Sequence, residues 1–179
     1  MSPKSRPDPG PNASGEFTFC PYCAAELEIR PDGEGQSRRV CPQCQWIHYR
    51  NPTVGVAAIV LTADGLLLGR RQSGGWCIPC GHVEWHESIH QAVVREMREE
   101  LGVEIQVGPL YNAHSNFHNP AQHTVGLWFE VALPQSVELI PGGDLVELRV
   151  FPLDQIPDLI FPTDGLIVEQ LCSDSRQRT

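Results

Sequence analysis

A single helix with clear start and stop signals carries a run of carboxylates in this sequence. Ser88 and Gln91 have the spacing of a capping box, and Gly102 stands where a left-handed C-terminal cap belongs. Apolar residues recur between them at helical spacing: Ile89, Val93, Met97 and Leu101. The pattern predicts a helix of about 13 residues, roughly 20 Å long, with one face in the core.

Three glutamates lie beside this apolar stripe. At about 100° per residue, Glu96, Glu99 and Glu100 fall within an arc of about 100°. Like charges three or four residues apart repel one another, so a cluster bordering the core needs compensation by cations. Carboxylate oxygens are ligands of hard divalent cations, which indicates Mg²⁺ first and Mn²⁺ second. A solvated acidic helix face is the alternative that the spacing alone leaves open.

The charge is distributed unevenly along the 179 residues. The chain has 13 basic and 22 acidic residues and a formal net charge of −9, and residues 1–50 are balanced, with six of each. All of the excess negative charge therefore lies in residues 51–179. Binding along a nucleic-acid backbone requires clustered Lys and Arg, so this class of function is not expected. A polyanionic substrate held through metal ions is compatible with the same charge.

Two C-x-x-C pairs have the spacing of a zinc site. Seventeen residues separate Cys20-Pro-Tyr-Cys23 from Cys41-Pro-Gln-Cys44. With this spacing, two tight turns present four thiolates to one Zn²⁺ in tetrahedral geometry. A segment of about 30 residues is too short for an adequate core of its own, and the metal supplies the missing folding free energy. We expect a structural zinc ribbon, since protein ligands fill all four positions.

The chain divides into a small and a larger domain. Residues 1–16 are expected to be a disordered tail, 17–50 the ribbon, 51–173 the larger domain and 174–179 a second tail. Strands are predicted at 54–61, 66–68 (paired with the first as a hairpin), 103–107, 125–133 and 146–150, and a second helix at 163–172. This mixture predicts an α/β sandwich. No apolar run is long enough for a membrane span and no secretory signal is present, so we expect a soluble, cytoplasmic protein.

A third cysteine pair follows a tryptophan and resembles the W-C-x-P-C motif of thioredoxin-like redox proteins. The residues are Trp76-Cys77-Ile78-Pro79-Cys80. Redox chemistry of that kind needs the first cysteine at a helix N-terminus, where the dipole lowers its pKa. Pro79 and Gly81 interrupt any helix here. We favour a loop that contains two thiols, with a redox pair and a further metal site as the alternatives.

The region around the acidic helix matches a known sequence pattern. From Gly81 the chain reads G-x5-E-x7-R-E-U-x-E-E-x-G-U, where U is aliphatic or Met. The nine constrained positions are Gly81, Glu87, Arg95, Glu96, Met97, Glu99, Glu100, Gly102 and Val103. Residues 81–103, which contain them, are called the box. This pattern resembles the signature of the Nudix hydrolases. The segment from Trp76 to Glu84 resembles the family's W-x-x-P-G-G-x-V-E approach, and Phe151 to Pro157 resembles the segment before its final helix.

The resemblance implies both a fold and a reaction. The fold would be an α/β/α sandwich with a mixed sheet, and the reaction would cleave the pyrophosphate of a nucleoside diphosphate linked to another moiety. Glu99 and Glu100 would be the main ligands of a catalytic Mg²⁺ or Mn²⁺, helped by the carbonyl of Gly81. Glu96 would be a ligand or the base for the attacking water. Arg95 would orient a carboxylate, for which Glu87 is the expected partner.

Other features bear on the substrate. The ribbon running into His48-Tyr49-Arg50-Asn51-Pro52 is similar to a subgroup that includes the NADH pyrophosphatases. That subgroup carries an S-Q-P-W-P-F-P-x-S stretch, which this sequence lacks, so ADP-ribose-like substrates rank above NADH. Cys80 and His86 stand where the family commonly has glycines. A Cβ at position 80 would crowd the loop or restrict its backbone, from which we expect reduced activity.

Residues outside the box complete the expected site. Arg70 and Arg71 are candidates for binding the terminal phosphate, and Phe117 for stacking on a base. Glu147, in a setting that looks like the family's E-x-x-E element, is a further candidate metal ligand. A polar segment between two predicted strands is expected to be a loop, with phosphate or metal binding as its alternative. Its histidines are His114, His118 and His123.

A different class of function is a ligand sensor or transcriptional regulator, with the ribbon as a partner-binding module. Loss of the box glutamates, a basic surface or a helix-turn-helix would be expected of it, and the sequence has none of these signs. We therefore expect a hydrolase that binds a small nucleotide. Many relatives are dimers, so the resemblance also implies a homodimer.

Overall fold

Two compact units make up the chain. The computed structural model describes residues 17–31 and 35–177. Everything described up to Pro52 belongs to the first unit, together with Asn119–Gln122, and the rest forms the second. Within the first unit, Arg50 Nη2 donates hydrogen bonds to the carbonyl oxygens of Pro120 and Ala121, at 3.2 and 2.8 Å. The tail expected at residues 1–16 lies outside the described residues.

The first unit contains a three-stranded antiparallel sheet with very little core. Its strands are β1 (Glu28–Pro31), β2 (Ser37–Val40) and β3 (Ile47–His48), side by side in that order. Leu27 is buried with Cys20 and Cys41, and half-buried Phe17 and Trp46 pack against them. A cluster this small does not stabilise a fold by itself.

The second unit is built on two sheets. Its strands are β4 (Thr53–Ile59), β5 (Leu61–Thr62), β6 (Gly65–Arg71), β7 (Trp76–Cys77), β8 (Cys80–His82), β9 (Gln106–Asn116), β10 (Thr124–Ala132) and β11 (Leu145–Phe151). One sheet has the order β8-β4-β10-β9, in which β10 is parallel to β4 and the other pairs are antiparallel. The other has the order β11-β6-β5, and β7 also pairs with β6. The expected mixed sheet is therefore confirmed.

Helices cover both faces of the mixed sheet. They are α1 (Ile89–Leu101) and α2 (Pro162–Gln177). Successive residues of a strand point to opposite faces. Val56 and Ala58 of β4 therefore lie in one core with α1, whereas Ala57 and Ile59 lie in another core with α2. This arrangement is the expected α/β/α sandwich. Among the described residues, no helix has the length and apolar character needed to cross a membrane.

Several element limits differ from the sequence-based expectations. β9 starts at Gln106 rather than at residue 103 and continues to Asn116, so much of the expected polar loop is strand. Its polar side chains reach α2: Asn112 donates to Gln170 at 2.5 Å and Asn116 donates to Thr163 at 3.3 Å. These α2 residues replace water as hydrogen-bond partners of the polar side chains of β9. Because they are distant in the chain, no local sequence signal predicts them.

Two further limits also needed correction. The predicted hairpin forms only through β5, whose two residues pair with the start of β6, while β4 pairs with β8 and β10. α2 ends at Gln177 rather than at Cys172, and so takes in residues 174–177, which the sequence analysis treats as a tail. In the added turn, the Asp174 carboxylate accepts the hydroxyl of Tyr111 on β9 at 2.7 Å, which holds the longer helix in place.

Candidate active site

The predicted helix α1 begins and ends at the expected residues. The Ser88 hydroxyl accepts a hydrogen bond from the Gln91 backbone N–H, and the Gln91 side chain accepts one from the Ser88 N–H at 2.8 Å. Gly102 closes the helix in the left-handed conformation, with φ of 73°, and donates to the Arg98 carbonyl. Met97 and Leu101 are buried in the core, which fixes the rotation of the helix and directs the neighbouring glutamates to β8.

Gly81 of β8 lies directly against the carboxylate of Glu96. A Cβ at Gly81 would stand 1.9 Å from Cδ of Glu96, far closer than two non-bonded atoms approach. The residue at position 81 must therefore be glycine if Glu96 is to keep its place. Gly81 pairs with Val56 where the edge strand β8 meets β4, so this contact brings hydrogen-bonded backbone next to the glutamates of α1.

Arg95 gathers the outer carboxylates of the site. Its guanidinium donates to both oxygens of Glu87, at 2.7 and 3.1 Å, and to Glu96 Oε1 at 2.8 Å. It also lies 3.4 Å from Glu99 and donates to the His82 carbonyl at 2.8 Å. The hydrogen bonds from Arg95 lower the pKa of Glu87. The pairing of Arg95 with Glu87 is the geometry that the family resemblance implies.

Glu100 is the buried carboxylate of the set. It is 3% exposed, and its Oε2 accepts a hydrogen bond from the backbone N–H of Cys80 at 2.9 Å. Burial raises the pKa of Glu100 to about 8, and the nearby Cys77 thiol adds to the shift. A carboxylate in such a place is stabilised in its charged form by a neighbouring cation.

The donor set fits a hard divalent cation. Two carboxylates of α1 lie against the backbone of β8, Glu96 at Gly81 and Glu100 at the N–H of Cys80, and the Arg95 guanidinium joins Glu96 to Glu87 and Glu99. In the part of the chain that the structure describes, these carboxylates are not as closely gathered as the four cysteine sulfurs. Oxygen donors with excess negative charge match Mg²⁺ and Mn²⁺ in hardness. The residues that would hold the ion are Gly81, Glu96, Glu99 and Glu100.

Arginines 70 and 71 lie where β6 ends, and both are paired with carboxylates. Arg70 Nε donates to Glu147 at 2.8 Å, and Arg149 holds the other oxygen of Glu147. These two cations lower the pKa of Glu147, with Arg70 contributing most. Arg71 is bonded to Asp144, and its charge acts on Glu100. Of the two arginines, Arg71 is therefore the one beside the box carboxylates.

The third cysteine pair lies under Arg71. The Nη1 atom of Arg71 is 3.9 Å from Sγ of Cys77 and 3.9 Å from Sγ of Cys80. A hydrogen bond with Cys80 lowers the pKa of Cys77, and Arg71 contributes in the same direction against the opposing effect of burial. Both cysteines lie on strands, not at a helix N-terminus as in thioredoxin-like proteins. The redox alternative remains a hypothesis without that support.

The two replaced glycines have different consequences. Cys80 has the ordinary backbone of a strand residue, so the restriction expected there does not arise. His86, in contrast, has a φ of 73°, which costs an L residue roughly 1–2 kcal/mol relative to glycine. Backbone strain in this part of the box therefore falls on His86.

The aromatic and histidine residues are dispersed around β9. Phe117 is 65% exposed and its ring meets that of His123 edge-on, with centroids 4.9 Å apart. His118 bonds to the Asn116 side chain and lies against Phe161. His114 is on β9 beside Trp128. The structure therefore does not gather the three histidines, and none of the metal-ligand clusters found in the described residues includes them.

The four cysteines of the first unit form the expected cluster. Their sulfur atoms all lie within 4.8 Å of one another, with Cys20–Cys44 and Cys23–Cys41 separations of 3.5 and 3.4 Å. Sulfurs at the corners of a Zn²⁺ tetrahedron are about 3.8 Å apart for bonds of about 2.3 Å. Ala24 and Gln45, which follow the two pairs, have φ of 59° and 62°, so both turns have the same geometry. The cluster fits one zinc ion.

One buried carboxylate near the box has no counterpart in the sequence expectations. Asp164, in the first turn of α2, accepts hydrogen bonds from the Ile78 backbone N–H at 2.9 Å and from the Trp128 indole at 3.1 Å. From the sequence alone, an acidic residue at this position is expected only to favour the helix N-terminus. Both donors are more than 30 residues away in the chain, so only the fold reveals them.

The comparisons with known proteins agree with this fold. A family model described as NUDIX domain matches residues 51–171, and one described as Nudix N-terminal, a zinc ribbon, matches residues 18–50. The chain therefore belongs to the Nudix hydrolase family, in the group with an N-terminal zinc ribbon.

Named relatives and a solved structure fall in the same family. The NAD-capped RNA hydrolase NudC of Stutzerimonas stutzeri is 32% identical over 80% of this chain and 51% of its own. An ADP-ribose pyrophosphatase of Methanocaldococcus jannaschii is 30% identical over 69% of this chain and 75% of its own. The crystal structure of a Nudix hydrolase from Nitrosomonas europaea superposes with a TM-score of 0.69 at 29% identity, covering 83% of this chain and 86% of that one. This chain spans about half the length of the NudC relatives.

Proposed function

We propose that the protein is a metal-dependent pyrophosphohydrolase that cleaves a nucleoside diphosphate linked to another moiety, with an ADP-ribose-like molecule as substrate. The observation that carries the proposal is the position of two α1 carboxylates against the backbone of β8. Glu96 covers Gly81, and Glu100 accepts the N–H of Cys80. Rigid carboxylates beside rigid backbone form a site that does not need to reorganise during the reaction.

Each box residue has a role in this proposal. The carboxylates of Glu96, Glu99 and Glu100 and the carbonyl of Gly81 hold the cation, and Arg95 keeps Glu87 and Glu96 oriented through the hydrogen bonds described above. The bound Mg²⁺ or Mn²⁺ supplies charge neutralisation of the diphosphate and lowers the pKa of a coordinated water. Glu96, where it is not a ligand, accepts the proton of the attacking water.

Arg71 is the residue that we assign to the phosphate. Its guanidinium lies beside the box and stacks over the ring of Phe161 at 5.6 Å, which holds it in position. A phosphate would replace Asp144 as its partner. Arg70 remains a candidate for binding the substrate and Glu147 a candidate metal ligand, although their charges neutralise each other in an ion pair. Phe117 is exposed enough to stack on a base.

The substrate class follows from the relatives and the missing motif. The archaeal relative named as an ADP-ribose pyrophosphatase matches over three quarters of its own length, whereas the NudC match covers half. The S-Q-P-W-P-F-P-x-S stretch of NADH pyrophosphatases is absent here. Both points favour ADP-ribose-like molecules over NADH or an NAD-capped RNA, and no role for nucleic acid is proposed.

A substrate panel tests the proposal. Purified protein is incubated with ADP-ribose, NADH, nucleotide sugars, nucleoside triphosphates and NAD-capped RNA, with and without Mg²⁺ or Mn²⁺. We expect turnover of ADP-ribose only with metal, and a loss of at least about 100-fold in kcat for Glu100→Gln, equivalent to about 2.7 kcal/mol. Glu104→Gln, an exposed glutamate outside the box, is the matched control and should keep wild-type activity. Absence of turnover for every compound would overturn the proposal.

A sensor remains the second candidate because the ribbon is a separate unit that is able to serve a partner. Tight binding of ADP-ribose without turnover in the same panel would favour it over a hydrolase.

A further inference from the structure

Asp164 is a buried carboxylate that the box does not account for. It is 2% exposed and lies in the core formed by Leu66, Leu68, Ile78 and Ile167. Burial of a charged or polar group in such surroundings is unfavourable unless each of its atoms has a partner. Both oxygens are occupied, Oδ2 by the N–H of Ile78 and Oδ1 by the indole N–H of Trp128. The carboxylate therefore connects α2 to the backbone that precedes Gly81.

The segment from Trp76 to Gly81 is held from both faces of the sheet. Asp164 accepts the N–H of Ile78 from the α2 side, and Glu100 accepts the N–H of Cys80 from the α1 side. Between them, the Pro79 carbonyl accepts the N–H of Ala58 at 2.9 Å. Pro79 has a fixed φ, so a displacement at Ile78 passes along the chain to the carbonyl of Gly81.

We propose that Asp164 is a positioning residue for the active site: its hydrogen bond to Ile78 sets the backbone of the Trp76–Gly81 segment, and thereby the places of the Gly81 carbonyl and of Glu100. The proposal rests on the proposed function, because it takes Gly81 and Glu100 to be cation ligands. A residue with only a packing role would be served as well by an apolar side chain of similar size. Two directed hydrogen bonds, one to Trp128 of β10 and one to Ile78 between β7 and β8, instead fix a geometry.

Asp164→Asn tests the proposal with almost no change of shape. The amide has one acceptor, so its NH₂ group must face either the Ile78 N–H or the Trp128 N–H, and a donor against a donor displaces the segment. We expect Mn²⁺ binding to the zinc-loaded protein, measured by titration calorimetry without substrate, to weaken at least tenfold. The kcat should also fall at least tenfold, with KM changed less than twofold.

A second substitution is expected to rescue the first. Trp128→Phe removes the indole donor, so in Asp164→Asn/Trp128→Phe the amide NH₂ no longer opposes it and the amide oxygen is free to accept from Ile78. Mn²⁺ affinity and kcat should return to within about threefold of Trp128→Phe alone. Asp164→Ala has no side-chain oxygen to accept a hydrogen bond from Ile78. It should therefore lose as much Mn²⁺ affinity as Asp164→Asn, and Trp128→Phe should not restore that affinity. This contrast separates a hydrogen bond to Ile78 from a general effect on folding.

The controls make the outcome decisive. Asp174→Asn is the same substitution on the same helix, at a residue that accepts the Tyr111 hydroxyl at 2.7 Å, and should leave Mn²⁺ affinity and kcat unchanged. Wild-type affinity and kcat in Asp164→Asn would overturn the proposal, as would a loss that Trp128→Phe fails to restore. If the wild type cleaves nothing while Mn²⁺ binding falls and is rescued as described, the proposed hydrolase function has failed and the role of Asp164 stands.

Discussion

Single residues of the box differ in their surroundings more than their spacing predicts. Glu99 and Glu100 are neighbours in sequence, but a step of one residue turns a helix by about 100°. The side chain of Glu99 is consequently 54% exposed, whereas Glu100 is buried against β8. The sequence identified both glutamates, but the depth of each depends on which strand backbone covers it, and that contact is between residues about 20 apart.

The burial of Glu100 predicts an unusual pH dependence of stability. Its pKa is raised from 4.5 to about 8 in the folded protein, so folding favours the protonated form. The stabilisation from protonated Glu100 is complete below its pKa in the unfolded chain. It is lost as the pH rises through its pKa in the folded protein. Glu100→Gln, which is neutral at every pH, should therefore be more stable than the metal-free wild type at pH 9, by on the order of 2–4 kcal/mol. The advantage should disappear near pH 4.5.

Urea unfolding of the metal-free proteins between pH 4.5 and pH 9 measures this difference. Glu99→Gln is the control, because the same change at a largely exposed side chain should shift the free energy of unfolding by less than about 0.5 kcal/mol at each pH. Adding Mg²⁺ at pH 9 should stabilise the wild type and leave Glu100→Gln unchanged. A wild type and Glu100→Gln with parallel pH profiles would contradict the burial argument.

At the scale of elements, limits that depend on neighbouring residues are predicted correctly, whereas limits that depend on distant residues are not. The limits of α1 are predicted from Ser88, Gln91 and Gly102, which lie in the first turn of the helix or next to its ends, and the structure has them as expected. β9 and α2 depend on one another through pairs such as Asn112 with Gln170, which lie 58 residues apart. Similarly, the expected roles of Arg70 and Glu147 did not include their pairing, because β6 and β11 become neighbours only in the folded sheet. The sequence therefore predicts the box well and its surroundings less well.

The contact of β8 with α1 predicts that position 81 tolerates no side chain. In Gly81→Ala the new Cβ would overlap the carboxylate of Glu96, which must move by about 1 Å or more. Misplacement of that size lowers kcat/KM by about 100-fold for the proposed reaction. Gly165→Ala is the control, since a Cβ there meets nothing within 4 Å, and in a helix alanine should add about 0.5–1 kcal/mol of stability. Steady-state kinetics and thermal unfolding of both variants check these expectations, and wild-type kcat/KM in Gly81→Ala would refute the contact.

At the scale of the whole molecule, the two units depend on different sources of stability. The second unit has two apolar cores, one on each side of the mixed sheet. Among its described residues, the first has a cluster of only three buried side chains, and two of these belong to the four-cysteine cluster. The net charge follows the same division, because the excess acidity lies beyond residue 50 and part of it forms the proposed cation site. Each unit is thus expected to respond to a different metal ion.

Removal of zinc should therefore unfold the first unit selectively. Four cysteines would fill every position around the ion, and the described residues around them form only a small core, so metal binding and folding are expected to be coupled. Burial alone would raise the pKa of Cys41, but hydrogen bonds from the Cys44 backbone N–H and the Cys23 thiol outweigh it and lower the pKa to about 6. We expect a strong chelator, or Cys41→Ser, to abolish the dispersed NMR signals of residues 17–50 while those of the two cores persist. Cys172→Ser, which changes a thiol of α2 that contacts the Leu153 carbonyl, is the matched control and should keep both sets of signals. Persistence of the ribbon signals after zinc removal would show that the first unit has a source of stability other than its metal.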